Sequence, residues 1–101
     1  MERLLVQVDP DLRDLIPDFL ARKRADVAAI QNALSASDFT TIAQLAHRLK
    51  GEGGSFGFDA MTDMGAALET TAQRHDLVSA RKLAGDLSDY LDHVEVVDAP
   101  E

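Results

Sequence analysis

The sequence holds no cysteine. That rules out disulfides, thiolate nucleophiles and cysteine-based metal sites, and it fits a reducing cytosolic compartment. Positive charge is scarce too: 10 Lys and Arg face 18 Asp and Glu, a formal net charge of −8. So acidic a chain lacks the basic face that a nucleic-acid backbone requires, and an anionic membrane surface would repel it. No apolar run approaches the roughly 20 residues needed to span a bilayer. The N-terminal stretch lacks the basic-then-apolar layout of a secretory signal. There is no glycine-rich phosphate loop with its lysine and no His-Glu-x-x-His pair, and His47, His75 and His93 share no metal-ligand spacing. These gaps argue against a self-contained enzyme, an autonomous kinase, and a metal site assembled from the histidines with Glu69. No segment alternates apolar and polar residues for long enough to predict a strand.

What is present has helical period. With 46% hydrophobic residues in 101, the chain is sized for one domain around one core. Residues 1–8 form a lead-in without periodicity. Asp9-Pro10 supplies an N-cap and a first helical residue for a short helix through Leu12 and Leu15. Pro17 breaks that run and then fits the first turn of a longer helix to about Leu34, burying Phe19, Leu20, Val27, Ile30 and Leu34. Arg22-Lys23-Arg24 reads as a solvated face. Ser37 caps the next helix, with Asp38 in its first turn, and that helix runs to about Ser55. After the break at Phe56-Gly57-Phe58, Asp59 caps a third long helix burying Met61, Met64, Leu68 and Ala72, where the methionines are core. Asp76 caps the last, which buries Leu77, Ala80, Leu83, Leu87, Leu91 and Val94; residues 96–101 are a frayed tail. The predicted fold is all-α: an antiparallel four-helix bundle over residues 9–95 with a short extra N-terminal helix. Since every apolar stripe is used within one bundle, a monomer is expected, and Met1 with the short tails favours a free-standing protein.

Chemistry concentrates in His47-Arg48-Leu49-Lys50-Gly51-Glu52-Gly53-Gly54-Ser55-Phe56-Gly57. At about 100° per residue, Phe39, Ile42, Leu45, Ala46, Leu49, Gly53 and Phe56 share one side of a helix, and His47 lies opposite the centre of that arc. Its surface neighbours are Thr40, Ala43, Lys50, Gly51 and Gly54. Glycine within a helix costs roughly 1 kcal/mol relative to alanine. Gly53, on the apolar side, admits a neighbouring helix; Gly51 and Gly54, on the histidine side, clear space for something larger than water. The plain alternative is that the glycines end the helix and His47 is an ordinary surface residue.

A helical hairpin turning near Phe58 sets Glu69 level with His47, each eleven residues from the turn. A carboxylate there would accept a hydrogen bond from one ring nitrogen and free the other to attack. It could equally be one acidic residue among the 18 on a solvated surface. Lys50, one turn beyond, could offset the charge of an attached phosphoryl group or do nothing specific. Glu52 points away from the histidine stripe. An unperturbed imidazole, with a pKa of about 6.5, is mostly neutral and nucleophilic at neutral pH.

Here the sequence resembles the histidine-containing phosphotransfer (HPt) domain family of two-component phosphorelays. That family's pattern is a histidine, a lysine three later, a glycine four later, small residues, then an apolar-glycine pair. His47, Lys50, Gly51, Gly53, Gly54, Phe56 and Gly57 match it, and the likeness extends through Asp11-Leu12, Phe19-Leu20, Leu68-Glu69 and Asp76. The resemblance implies a four-helix bundle whose exposed histidine takes a phosphoryl group from a receiver-domain aspartyl phosphate and passes it to another receiver aspartate. It implies that Lys50 assists the phosphohistidine, that Glu69 stands near the imidazole, and that the glycines let the partner dock; with the helical neighbours of His47 added, the expected docking residues are Thr40, Ala43, Gly51 and Gly54. No cofactor is expected on this chain; the divalent metal is expected in the partner receiver. Glu52 departs from the family, where a small residue is usual. Two alternatives are a histidine domain phosphorylated by a chemotaxis-type kinase and a docking-only interaction module.

Overall fold

Four stretches of 3.6-residue period become four helices in the computed structural model, which describes residues 4–98, with Leu4 and Asp98 by backbone alone. Residues 1–3 of the predicted lead-in and 99–101 of the predicted tail lie outside the described residues. Asp9 caps a single 3-10 stretch, Pro10–Leu15, by accepting from the Asp11 amide. Helix α1 follows, Ile16–Ser35, with Pro17 in its first turn. Helix α2 is Phe39–Gly53, α3 is Asp59–Gln73 and α4 is Leu77–His93. Each helix packs on its two neighbours in a ring, and α2 with α3 forms the closest pair. The short connections make those neighbours antiparallel. The core draws on all four, with Phe19, Ile30, Ile42, Leu49, Met61, Leu68 and Leu87 fully buried. None of the described helices is long and apolar enough to cross a membrane.

One part of the all-helical expectation needs correcting. Leu4–Val8 (β1) and Val94–Asp98 (β2) are parallel strands, paired from Leu4 with Val94 to Val8 with Asp98. Val94, expected in the last helix, instead adopts extended backbone at the end of α4. At five residues each, LLVQV and VEVVD are too short to show a sustained alternation. Their partners lie at opposite ends of the sequence, so the whole bundle acts as the crossover that parallel pairing requires. Val8 enters the core at 2% exposure.

Capping differs in two places. Asp38, rather than Ser37, caps α2 by accepting from the Thr41 amide and hydroxyl, and Ser37 takes a positive φ of 53°. Phe58 occupies the α3 cap position without a side-chain bond, which leaves Asp59 in the first turn. Asp76 caps α4 as expected. Helix α2 ends at Gly53, followed by a 3-10 turn Gly54–Phe56, and Gly57 reverses the chain at φ 88°. A β-carbon on Gly57 would also lie 3.0 Å from the Gln7 carbonyl oxygen, so β1 and the hairpin turn fit only around glycine.

The basic run of α1 is not a solvated face throughout. Lys23 is 2% exposed, and its ammonium donates to Asp26 (2.9 Å) and to Glu52 of α2 (2.8 Å), 5.6 Å from the centre of the Phe19 ring. Arg24 donates to the Leu91 carbonyl oxygen, and Arg48 of α2 reaches Asp26 at 3.3 Å. A lysine is buried only when its charge is answered, and two carboxylates answer it here. Lys23→Ala is expected to destabilise the fold by about 2 kcal/mol, discounted because Glu52 is a third exposed. Urea denaturation checks this, and Lys23→Met, which keeps the stem packing, separates charge from volume.

The capping carboxylates give a pH signature. Hydrogen bonding by the Thr41 hydroxyl and amide holds Asp38 below its ordinary 3.8, and bonds from Ser79 do the same for Asp76. A carboxylate whose pKa is depressed by folding stabilises above the unfolded value and loses that contribution as pH falls through the folded one. Asp38→Ala should therefore melt below the parent protein at neutral pH, with the two melting temperatures converging as the pH falls below 3.8 and through the depressed folded-state value. Thermal melts followed by circular dichroism over that range provide the check.

Candidate functional site

The amphipathic pattern of α2 fixes what its histidine can do. Ile42, Ala46 and Leu49 turn fully inward, with Gly53 buried one turn on. His47 lies opposite them, its side chain 72% exposed. Across the hairpin, the Glu69 carboxylate of α3 is only 17% exposed and its Oε2 lies 2.9 Å from His47 Nδ1. An ionised carboxylate can only accept, so Nδ1 carries the proton and its N–H donates a hydrogen bond to Glu69. The lone pair is then on Nε2. Lys50 Nζ stands 3.6 Å from the other carboxylate oxygen, Oε1. One carboxylate thus touches both the imidazole and the ammonium.

The other predicted residues divide. Ala43 joins Gln44, His47 and Glu69 around a shallow depression of about 290 Å³. Thr40 lines an adjoining one of about 270 Å³ with Phe39, Ala43, Gln44 and His75. Gly51 is exposed, and a β-carbon there would meet nothing within 4 Å. Gly54 is exposed as well, with the Thr62 hydroxyl at an ordinary 3.4 Å from its would-be β-carbon. Gly53 serves the close approach expected of it: a β-carbon would fall 2.9 Å from Thr62 Oγ1 and 3.0 Å from the Phe58 carbonyl oxygen. Glu52 pairs with Lys23, away from the histidine.

Sequence reasoning misses two features. His75, in the α3–α4 turn at φ 55°, stacks on Phe39 with ring centres 4.6 Å apart and planes 5° from parallel. Nothing local announces this, because the partners are far apart in sequence and meet only where the open end of the hairpin brings the start of α2 beside the end of α3. The second is Gly65, which packs against the backbone of α2 beside the histidine. Its only sequence signal is a glycine one turn before Glu69, inside a helix with no turn residues around it.

A larger concavity, about 690 Å³, lies elsewhere, between β1 and the start of α3, and no histidine lines it. His47 therefore stands on an open face rather than in a cleft. Small-molecule sites are typically concave and enclose most of their ligand; an open face suits a macromolecular partner that brings the rest of the site with it. Among the described residues, no group of three or more His, Asp or Glu could hold a metal ion.

Comparison with known proteins comes to the same place. A family model described as Hpt domain matches residues 14–96. No curated protein and no solved structure matches the chain. The matched stretch takes in α1 to α4, His47 and Glu69. Spanned so fully by that pattern, the chain belongs to the Hpt domain family, whose modules carry phosphoryl groups on histidine in two-component phosphorelays.

Proposed function

We propose that His47 is the phosphoryl acceptor, loaded from an aspartyl phosphate of one receiver domain and unloaded onto the aspartate of another. The observation that carries this reading is the 2.9 Å contact between Nδ1 and Glu69, which leaves Nε2 as the nucleophile. The Nε2 lone pair attacks phosphorus; the bond from phosphorus to the aspartyl oxygen breaks, and its electrons leave with the carboxylate. The proton stays on Nδ1, where Glu69 stabilises the positive charge that the phosphorylated ring acquires. Onward transfer reverses the roles. An aspartate oxygen attacks phosphorus and the N–P electrons return to Nε2. Lys50, 47% exposed, is close enough to exchange Glu69 for a phosphoryl oxygen.

In this reading the receiver supplies the aspartate and the divalent cation, and this chain supplies a positioned imidazole as a cytosolic, monomeric phosphocarrier. Thr40, Ala43, Gly51 and Gly54 border the docking surface, and open space over Gly51 is what a partner needs to approach the ring.

The first test is labelling from a panel of phosphorylated receiver domains. Wild type should take up an acid-labile, base-stable label that His47→Gln lacks. Label supplied only by the ATP-binding domain of a chemotaxis-type kinase would replace the receiver as donor, and no label from either would leave a docking module. Gly51→Ala separates docking from folding. With room for the methyl group and better helix propensity, its melting temperature should hold or rise. Transfer from the receiver should nevertheless slow by roughly tenfold, since a misplaced partner loses alignment. Unchanged transfer would remove Gly51 from the interface.

A further inference from the structure

Glycine 65 is the one α3 residue whose absent side chain brings the two functional helices together beside the histidine. A β-carbon built there would lie 2.7 Å from the Lys50 amide nitrogen, 3.0 Å from the Ala46 carbonyl oxygen and 3.1 Å from the Lys50 α-carbon. All three are backbone atoms of α2, so no rotamer change relieves the overlap. Ala46 immediately precedes His47, and Lys50 is the ammonium that shares Glu69 with it. Glu69 follows Gly65 by one turn on α3 and so projects along the same side of that helix. The spacing at Gly65 is thus the spacing across which Glu69 reaches His47 and Lys50.

We infer that Gly65 is a positioning residue for His47: its missing β-carbon holds α3 near enough for Glu69 to keep the proton on Nδ1. Ordinary contact begins near 3.4 Å, so alanine would force the helices apart by about 0.7 Å at this point. The Nδ1 to Oε2 contact begins at 2.9 Å and the Lys50 contact at 3.6 Å, so both would be stretched past hydrogen-bonding or ion-pairing reach. The imidazole would then distribute its proton over both nitrogens, as a free ring does. Gly85 of α4 shows the contrast. It too is a helix-interior glycine, yet a β-carbon there meets nothing within 4 Å.

The experiment compares wild type, Gly85→Ala, Gly65→Ala in the Gly85→Ala background, and Glu69→Asp. The added helix propensity at position 85 offsets part of the cost of the Gly65 substitution, and circular dichroism checks that the variant is folded. The readout is the pair of His47 ring ¹⁵N shifts at a pH where the ring is neutral, which reports the tautomer directly. Wild type and Gly85→Ala should show the Nδ1–H form. The Gly65→Ala protein should show a mixed population, and so should Glu69→Asp, which withdraws the carboxylate without touching the helix contact. Receiver-driven labelling of the Gly65 variant should slow by about tenfold. A folded Gly65→Ala protein with wild-type tautomer shifts overturns the inference. Only the labelling arm rests on the phosphocarrier reading: wild-type protein that accepts no phosphoryl group would defeat that reading and leave the tautomer result standing.

Discussion

Contact between the backbones of α2 and α3 at Gly65 sets the spacing across which Glu69 reaches His47 and Lys50. A helix pair with ordinary side chains at the crossing keeps its axes 8–10 Å apart, depending on the residues at the contact. Here one partner offers only a hydrogen, and the helices close accordingly. Gly53 repeats the device near the hairpin turn, against Thr62 and Phe58. Two glycines on opposite helices therefore zip one seam, and Glu69 emerges from it at 17% exposure beside a histidine at 72%. The carboxylate is held by its surroundings; the imidazole is held by the carboxylate. Geometry that would be loose on a single surface helix becomes fixed, because one member of the pair is largely buried.

The opposite side of α2 is secured by different physics. Lys23 brings a full charge into the α1–α2 contact and is met by Asp26 and Glu52. A pair of this kind adds little net stability over a hydrophobic equivalent, but it penalises any register that separates the partners. Arg48, the residue after His47, reaches Asp26 from α2 and joins the same cluster. Helix α2 is thus gripped by close glycine contacts on one flank and by ion pairs on the other. Its exposed stripe is left free of structural duties.

The periodic features were the legible ones. Helix positions, the core residues Phe19, Ile42, Leu68 and Leu87, the break at Gly57 and the exposure of His47 all follow from spacing along a single helix. Counting residues about the hairpin turn also brought Glu69 level with His47. What escaped depends on partners distant in sequence. Lys23 looks like one of three surface cations until Glu52, 29 residues later, arrives beside it. Val94 continues an apolar helical stripe until β1 offers it backbone partners. Ser37 and Asp38 both suit a cap, and the decision falls to Asp38 because Thr41 answers it with two donors. Gly65 has no local pattern to betray it, since its significance lies wholly in the α2 backbone opposite.

The parallel pairing of β1 with β2 has a consequence for the order of assembly. Leu4 and Val94 are joined by every residue of the bundle, so pairing them first would close a loop of nearly the whole chain. Once the helices have docked, the strands are already neighbours and that closure entropy has been met by other contacts. The helical hairpins, built from local contacts, are the fast elements; the two-stranded sheet is the slow, non-local one. The strands therefore act as a latch on a bundle already formed, and one end of that latch rests on Gly57, the turn that joins the histidine helix to the helix of its carboxylate.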